Sequence, residues 1–530
     1  MMMYIIIGIA CLVGIIVVVL LLPNSGKQQQ KGQKYRFELS AGGGRKITFA
    51  DPFDNFLVYG GANSGKTKSI GKPLLSQYIQ AGFAGFVYNY KDFDLARTAV
   101  HLVKKHNYPY GCFQISFTDM ERTHRTNPIR PSVVKNETLF LQLMDDMLTA
   151  YQGKDGKRDE WFNGALGILR GVSIRFYNDY PQFCTIPHIV NFICSAGTVR
   201  ITSFLEGKHQ SRVLAGAFLD AKDSPKTQSS YLSSLTNSLS TLANEKKVCY
   251  VLSGNDFDFN LIDPECPKLV VVSNAYQIEN LISPVISLML SISSRRFTLA
   301  NKVPFFYFLD EATTFRIADF EKLPSVLREY LCSFVFLTQS AAKIEKIYGK
   351  YDRSSIESNF GNQFFGRTKD IEALKSYPLV FGKEERQKVS KTTGSSRGGE
   401  NRSRTVSTQK EEIYDTNFFT SLKSGEFVGS AAHSNMRNFH LRFEMYEDKE
   451  DPLPIVHPVL AVEKVTLSTT GKAIEFAVSG GVVDGEDGVV NEPMQWVVTV
   501  YKNGKEIEKK SLVFRDGKEI GMDDLNLYYN

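Results

Sequence analysis

The spacing of apolar positions changes several times along the chain, and each change predicts a different kind of element. Residues 4–22 are uncharged and continuously apolar over about 19 positions, close to the ~20 that a helix needs to cross ~30 Å of hydrocarbon. A membrane helix is predicted there, in an anchor of residues 1–26. Met1 to Met3 carry no basic side chain of the kind that opens a cleaved signal peptide, so the segment reads as uncleaved. Lys27, Lys31, Lys34 and Arg36 follow it, and the positive-inside rule keeps that flank in the cytoplasm. The expectation is a single-pass protein of the inner (cytoplasmic) membrane with its bulk in the cytoplasm.

Four short apolar runs have the length and composition of strands buried on both faces. They are Asn55-Phe-Leu-Val-Tyr59, Lys268-Leu-Val-Val-Val-Ser273, Pro304-Phe-Phe-Tyr-Phe-Leu309 and Ser333-Phe-Val-Phe-Leu-Thr338. Between the first and second, residues 159–174, 185–194, 199–205, 211–221 and 229–242 carry apolar side chains at helical spacing. Residues 136–258 are therefore predicted to form an all-helical insertion that splits an α/β core into residues 27–135 and 259–450. Trp161, the sole tryptophan of that insertion, is expected in its core. Residues 383–412 are rich in Lys, Arg, Ser, Thr and Gly with almost no apolar side chain, and predict a mobile loop. Its basic cluster (Lys388, Lys391, Arg397, Arg402, Arg404) reads first as solvated and second as a phosphate contact. After Pro452, Pro454 and Pro458, apolar and polar residues alternate in strand fashion, with Asn503-Gly504 as a hairpin turn. A small β domain over 451–530 is expected.

The 530 residues, 42% of them hydrophobic and 23% charged, exclude a single small module and a disordered chain. Lys+Arg 63 against Asp+Glu 57 leaves +6, too little over this length to mark a nucleic-acid binder by charge alone. The seven cysteines are scattered with no C-x-x-C pair, and predict buried thiols in a reducing compartment.

The first strand run feeds Gly60-Gly61-Ala62-Asn63-Ser64-Gly65-Lys66-Thr67, and a helical stretch over 68–80 follows. Strand, glycine-rich loop and helix in this order form a phosphate cradle: glycines let the backbone curl so that N–H groups point at phosphate oxygens, and the helix N-terminus adds partial positive charge. All eight residues are candidate nucleotide contacts. Lys66 would reach the β and γ phosphates, and Thr67 would hold Mg²⁺. ATP and Mg²⁺ are the expected cofactors. Hydrolysis also needs a second metal ligand and a group that activates water, and the third strand run ends in Asp310 and Glu311, suited to those two tasks. The fourth ends beside Gln339, whose amide could sense the γ-phosphate; alone, Gln339 reads as a loop residue.

Together these residues resemble the TraG/TraD-like coupling proteins of type IV secretion and conjugation, over roughly residues 51–448. The resemblance rests on Gly60 to Thr67, Phe86-Val-Tyr-Asn-Tyr-Lys91-Asp92-Phe-Asp94, Asn127-Pro128, Asp310-Glu311-Ala312, Leu323-Pro-Ser-Val-Leu-Arg328-Glu-Tyr330, Leu337-Thr-Gln339-Ser340 and residues 344–349. It implies a RecA-like P-loop NTPase core in a membrane-anchored ATPase, a homo-hexamer that recruits relaxase or relaxosome proteins on single-stranded DNA and drives the strand into a type IV secretion channel. Such a ring implies an arginine reaching a neighbour's nucleotide; Arg353 is the candidate and Arg367 the alternative, though each alone reads as a surface residue. The chain departs from the family in having one membrane helix instead of two and Asn89-Tyr90 instead of Asp-Pro. A membrane-tethered DNA pump of FtsK/HerA type and an ATP-regulated recruitment platform without motor activity remain alternatives.

Overall fold

The computed structural model describes residues 35–456 except 92, 152–158, 300–302, 397–398 and 448, and beyond 456 only strand segments. The predicted membrane segment lies outside these residues; among the described ones, no helix is long and apolar enough to cross a membrane.

Among the described residues, thirteen strands precede residue 456: β1 (Phe37–Ala41), β2 (Arg45–Phe49), β3 (Phe56–Tyr59), β4 (Ala84–Asn89), β5 (Gly111–Ser116), β6 (Lys268–Ser273), β7 (Phe305–Asp310), β8 (Cys332–Thr338), β9 (Asn362–Gly366), β10 (Lys383–Ser396), β11 (Gly399–Glu412), β12 (Glu426–Ala431) and β13 (Asn438–Arg442). Nine of them form one sheet in the order β13-β12-β9-β3-β8-β7-β4-β6-β5. The stretch from β9 to β5 is parallel, whereas β12 runs antiparallel to both β9 and β13. Continuous apolar runs make such strands because parallel sheets are covered on both faces. Alternate residues serve the two faces: Leu57, Tyr59, Tyr307 and Leu309 enter one core, and Phe56, Val58, Phe306 and Phe308 the other. Residues of β1, β2 and the helices Lys72–Gln80 and Asp94–Lys105 cover the second face.

Among the described residues, the regular elements between β5 and β6 are all helices, the longer ones being Glu137–Tyr151, Glu160–Asp179, Ile186–Glu206, His209–Leu214, Gly216–Asp220, Pro225–Asn244 and Lys246–Ser253. Asp159 and Thr185 cap two of these helices by accepting from the N–H groups of Phe162 and His188. The stretches expected at 185–194 and 199–205 form one helix with a left-handed break at Gly197 (φ 69°). Where the chain leaves and rejoins the sheet, Arg125 and Asp256 form a two-pronged ion pair (Nη2 to Oδ1 2.8 Å, Nε to Oδ2 3.2 Å), and Thr126 N–H donates to the Val251 carbonyl. Asn127 Nδ2 donates to the Cys184 carbonyl at 2.8 Å.

Three expectations are corrected. Trp161 is 44% exposed and leans on Tyr231, because Phe162, Ala165 and Leu166 take the inward stripe of its helix. Of the free thiols, only Cys184, Cys249 and Cys332 are buried; Cys112 and Cys194 are half-buried, Cys266 is exposed, and Cys11 lies outside the described residues. Residues 383–412 form a two-stranded ribbon instead of a loop, β10 pairing with β11 over 14 residues each from Lys383↔Glu412 to Ser396↔Gly399. Of its basic cluster, Arg397 and the side chains of Lys388, Lys391, Arg402 and Arg404 lie outside the described residues. The ribbon is rooted by an aromatic chain that starts on β3: Tyr59 packs on Phe365 and Tyr377, Tyr377 on Phe419, and Phe381 on Tyr414 at 5.1 Å between ring centres.

The tail strands form their own sheets. Lys464–Thr469 pairs with both Lys472–Ser479 and Met494–Lys502; Val482–Asp484 and Lys505–Phe514 flank them, and Gly488–Val489 pairs with Glu519–Ile520.

Candidate functional site

Strand order sets the site. β8 lies between β3 and β7, so the loop after β3, the end of β7 and the end of β8 open side by side at the carboxyl edge of the sheet, where ligands of open α/β folds bind.

Residues 60–67 are gripped from three sides. Gly60 N–H donates to the Thr338 carbonyl of β8 (3.2 Å), Gly61 N–H to the Arg367 carbonyl (2.8 Å), and the Ser64 carbonyl accepts from Gly425 N–H (2.8 Å). The two motif glycines are dictated locally. A Cβ on Gly60 would come within 2.3 Å of Ser64 Oγ, and Gly65 holds φ at +90° with Gly425 N only 2.7 Å from where its Cβ would stand. The helix predicted from Lys68 begins as a wide turn over Lys66–Gly71, in which Lys72 N–H reaches back to the Thr67 carbonyl, and becomes regular over Lys72–Gln80. The N–H groups of that first turn are those a helix leaves without an internal partner.

The side chains converge. Lys66 Nζ is 2.9 Å from Glu311 Oε1, both nearly buried, and Gln339 Nε2 donates to the same oxygen at 3.3 Å. Thr67 Oγ1 donates to Asp310 Oδ1 at 3.3 Å. Burial pushes the Asp310 carboxyl up to about 6, helped by the charge of Glu311 and opposed by Lys66, Lys91 and the Thr67 hydrogen bond. Glu311 has left-handed backbone (φ 52°), a conformation that costs a non-glycine residue about 1–2 kcal/mol. The turn after β7 holds it there: Thr314 gives both its N–H (3.1 Å) and its hydroxyl (3.0 Å) to the Glu311 carbonyl.

The donor set suits a magnesium nucleotide. Ser64 Oγ is buried inside the loop with no hydrogen-bond partner among the described residues, the cradle has no space for a Cβ at Gly60, and a hydroxyl and a carboxylate stand together at Thr67 and Asp310. Thus Lys66, Thr67, Asp310, Glu311 and Gln339 come together. Arg353 does not join them; its guanidinium is held by Glu345 at 2.7 Å and Glu357 at 3.4 Å, and Glu357 also accepts from the Tyr59 hydroxyl. Arg367 serves the loop through its backbone carbonyl.

Sequence reasoning missed a polar relay behind Glu311. The Tyr88 hydroxyl meets Thr314 Oγ1 at 2.6 Å and accepts from Asn274 Nδ2 at 3.1 Å, while Thr313 and Thr338 hydroxyls lie 3.3 Å apart. The paired threonines after Asp310-Glu311 were its only trace in the sequence. Asn89, at the end of β4, takes the Asn274 N–H on its carbonyl, and the Tyr90 hydroxyl donates to Glu279 at 2.6 Å.

The family model for type IV secretory system conjugative DNA transfer matches residues 23–413. A second, for PLAT/LH2 and C2-like Ca²⁺-binding lipoproteins, matches residues 426–528, a span that takes in β12 and β13 of the large sheet as well as the tail strands. No curated protein sequence is significantly similar to the chain. Among solved structures, the bacterial conjugative coupling protein TrwB in an unbound form superposes with a TM-score of 0.59 at 16% identity, covering 79% of this chain and 90% of that one. TrwB in complex with ADP and Mg²⁺ gives 0.59 at 16% identity (76% and 87% covered), and its complex with a non-hydrolysable ATP analogue gives 0.57 at 16% (77% and 87%). These likenesses fix the mixed α/β fold with its large parallel sheet.

Proposed function

The chain belongs to the family of type IV secretory system conjugative DNA transfer proteins, and from that premise we propose that it is a membrane-anchored, ATP-hydrolysing coupling protein. In this reading it recruits DNA, or DNA carrying a relaxase, and drives it into a type IV secretion channel from a homo-hexamer at the inner membrane. The observation that carries the enzymatic part is the buried convergence of Lys66, Glu311 and Gln339 beside Thr67 and Asp310.

Each residue has a task that follows from where it sits. The loop N–H groups bind phosphate oxygens. Lys66 leaves Glu311 for the β and γ phosphates, and its departure frees the Glu311 carboxylate to accept a proton from the attacking water. Thr67 and Asp310 would hold Mg²⁺, which supplies neutralisation of phosphate charge. Gln339, already on the Glu311 oxygen, orients water between the two strands. Arg353 is proposed to act on a neighbouring subunit, after release from Glu345 and Glu357.

The test is ATP turnover of the detergent-solubilised chain with and without single-stranded DNA. Lys66→Ala and Glu311→Gln are each expected to lower the rate by about 10² or more. Turnover indifferent to DNA and to Glu311 would sink the motor reading and leave a recruitment platform.

A further inference from the structure

We infer that the nucleobase is held between the turn that follows the phosphate loop and the chain that leaves β13, with Met445 as its apolar platform and Glu444 as acceptor for an exocyclic amino group. The ligand class is a purine carrying such a group. This rests on the nucleotide reading above and extends it from phosphate to base.

Sheet order gives the direction in which a nucleotide leaves the loop. Lys66, Glu311 and Gln339 gather on the side of β3 that faces β8 and β7, so the reacting end of a triphosphate belongs there. In phosphoryl transfer the attacking and leaving oxygens are roughly in line. The rest of the nucleotide therefore extends on the other side of β3, towards β9, β12 and β13. Phe427 pairs with Gly366 and Glu426 with Arg442, which brings the start of β12 and the end of β13 to the same carboxyl edge as the phosphate loop. Gly425 and the chain from Phe443 to Tyr446 stand there.

That chain is pinned to the loop. Gly425 N–H donates to the Ser64 carbonyl and Phe443 N–H to the Gly425 carbonyl, both at 2.8 Å, and Tyr446 N–H donates to the Lys68 carbonyl at 2.9 Å. Gly65 and Gly425 both have left-handed backbone, and Met445 Cε stands 2.9 Å from where a Cβ on Gly65 would be and 3.0 Å from one on Gly425. A side chain at either glycine would displace that methyl. Met445 is nonetheless 43% exposed, which leaves an apolar surface open beside the phosphate loop. A thioether makes favourable contact with aromatic rings, and its flexible stem adapts to an irregular one. Met445, Tyr446, Glu444, Ser69 and Pro73 help to line a cavity of about 190 Å³. Glu38 also lines it, and two carboxylates make it a poor place for phosphate and a good one for an N–H donor. The Glu444 backbone is fixed by its N–H on the Ser40 carbonyl at 3.0 Å, and its carboxylate has no partner among the described residues. Adenine offers an amino donor at its 6 position; uracil has no amino group.

The experiment is isothermal titration of the full chain in detergent with ADP, UDP and pyrophosphate, each with Mg²⁺. The parent should bind ADP about tenfold more tightly than UDP, because a site built for an amino donor rejects a base without one. Met445→Ala should weaken ADP by about tenfold and leave pyrophosphate unchanged, whereas Met445→Leu should keep both. Glu444→Ala should narrow the gap between ADP and UDP. Equal loss of ADP and pyrophosphate in Met445→Ala would mean that the side chain only props the loop, and would overturn the base site. So would unchanged ADP affinity in that variant, or ADP and UDP binding alike to the parent. Lys66→Ala separates the two readings: loss of both ADP and pyrophosphate there upholds the nucleotide site even where Met445→Ala sinks the base site, and a parent that binds neither removes both.

Discussion

Asp310 is the residue on which stability and the proposed metal role pull apart. Its carboxyl is buried, and the fold favours its protonated form, raising it from ~3.9 to about 6. The sign follows: that stabilisation is complete below about pH 4 and is lost as pH rises through 6, so at neutral pH the unliganded protein holds an ionised carboxylate at a cost of roughly 3 kcal/mol. Asp310→Asn should therefore raise the melting temperature of the unliganded chain at pH 7.5 and make it nearly flat with pH between 5 and 7, as read by thermal denaturation. The same variant should lose magnesium-dependent nucleotide binding in a titration with and without chelator. The positions of Lys66, Thr67, Asp310 and Glu311 were legible because phosphate chemistry demands fixed residue types at fixed spacing. The contact between Lys66 and Glu311 was not, since it arises from β8 separating β3 and β7, which local sequence does not encode.

At the scale of elements, burial decided what could be read. Four strands of the large sheet, β3, β6, β7 and β8, were legible as unbroken apolar runs because both their faces are covered. The β10–β11 ribbon carries almost no apolar residue, so its composition read as a loop; what makes it a ribbon is the cross-strand ladder, which no hydrophobic pattern reports. The helical residues between β5 and β6 were legible from their spacing, but the clamp at their base was not, because Arg125 and Asp256 are 131 positions apart. Removing one member of that mostly buried pair leaves the other charge without its partner, so Arg125→Ala should destabilise the protein by about 3 kcal/mol. Thermal melting gives the size of the loss. Trypsin cleavage appearing first between residues 137 and 253 gives its location.

For the whole molecule, the sheet is complete at β13, and the last described contact before the tail strands is Val456 N–H on the Glu121 carbonyl. A chain ending at 456 should keep the ATP turnover of the full chain, measured side by side; a collapse of turnover would give the tail strands a part in the nucleotide site. The rooted ribbon also has a mechanical meaning. Its base is joined through Tyr414, Phe381, Phe365 and Tyr59 to the strand that delivers Gly60, while its far end lies about 45 Å away. Over that length a rotation of about 10° at the root carries the far end through roughly 8 Å. A displacement too small to disturb packing around Gly60 thus becomes, at the far end of the ribbon, one larger than the ~4.8 Å between neighbouring strands.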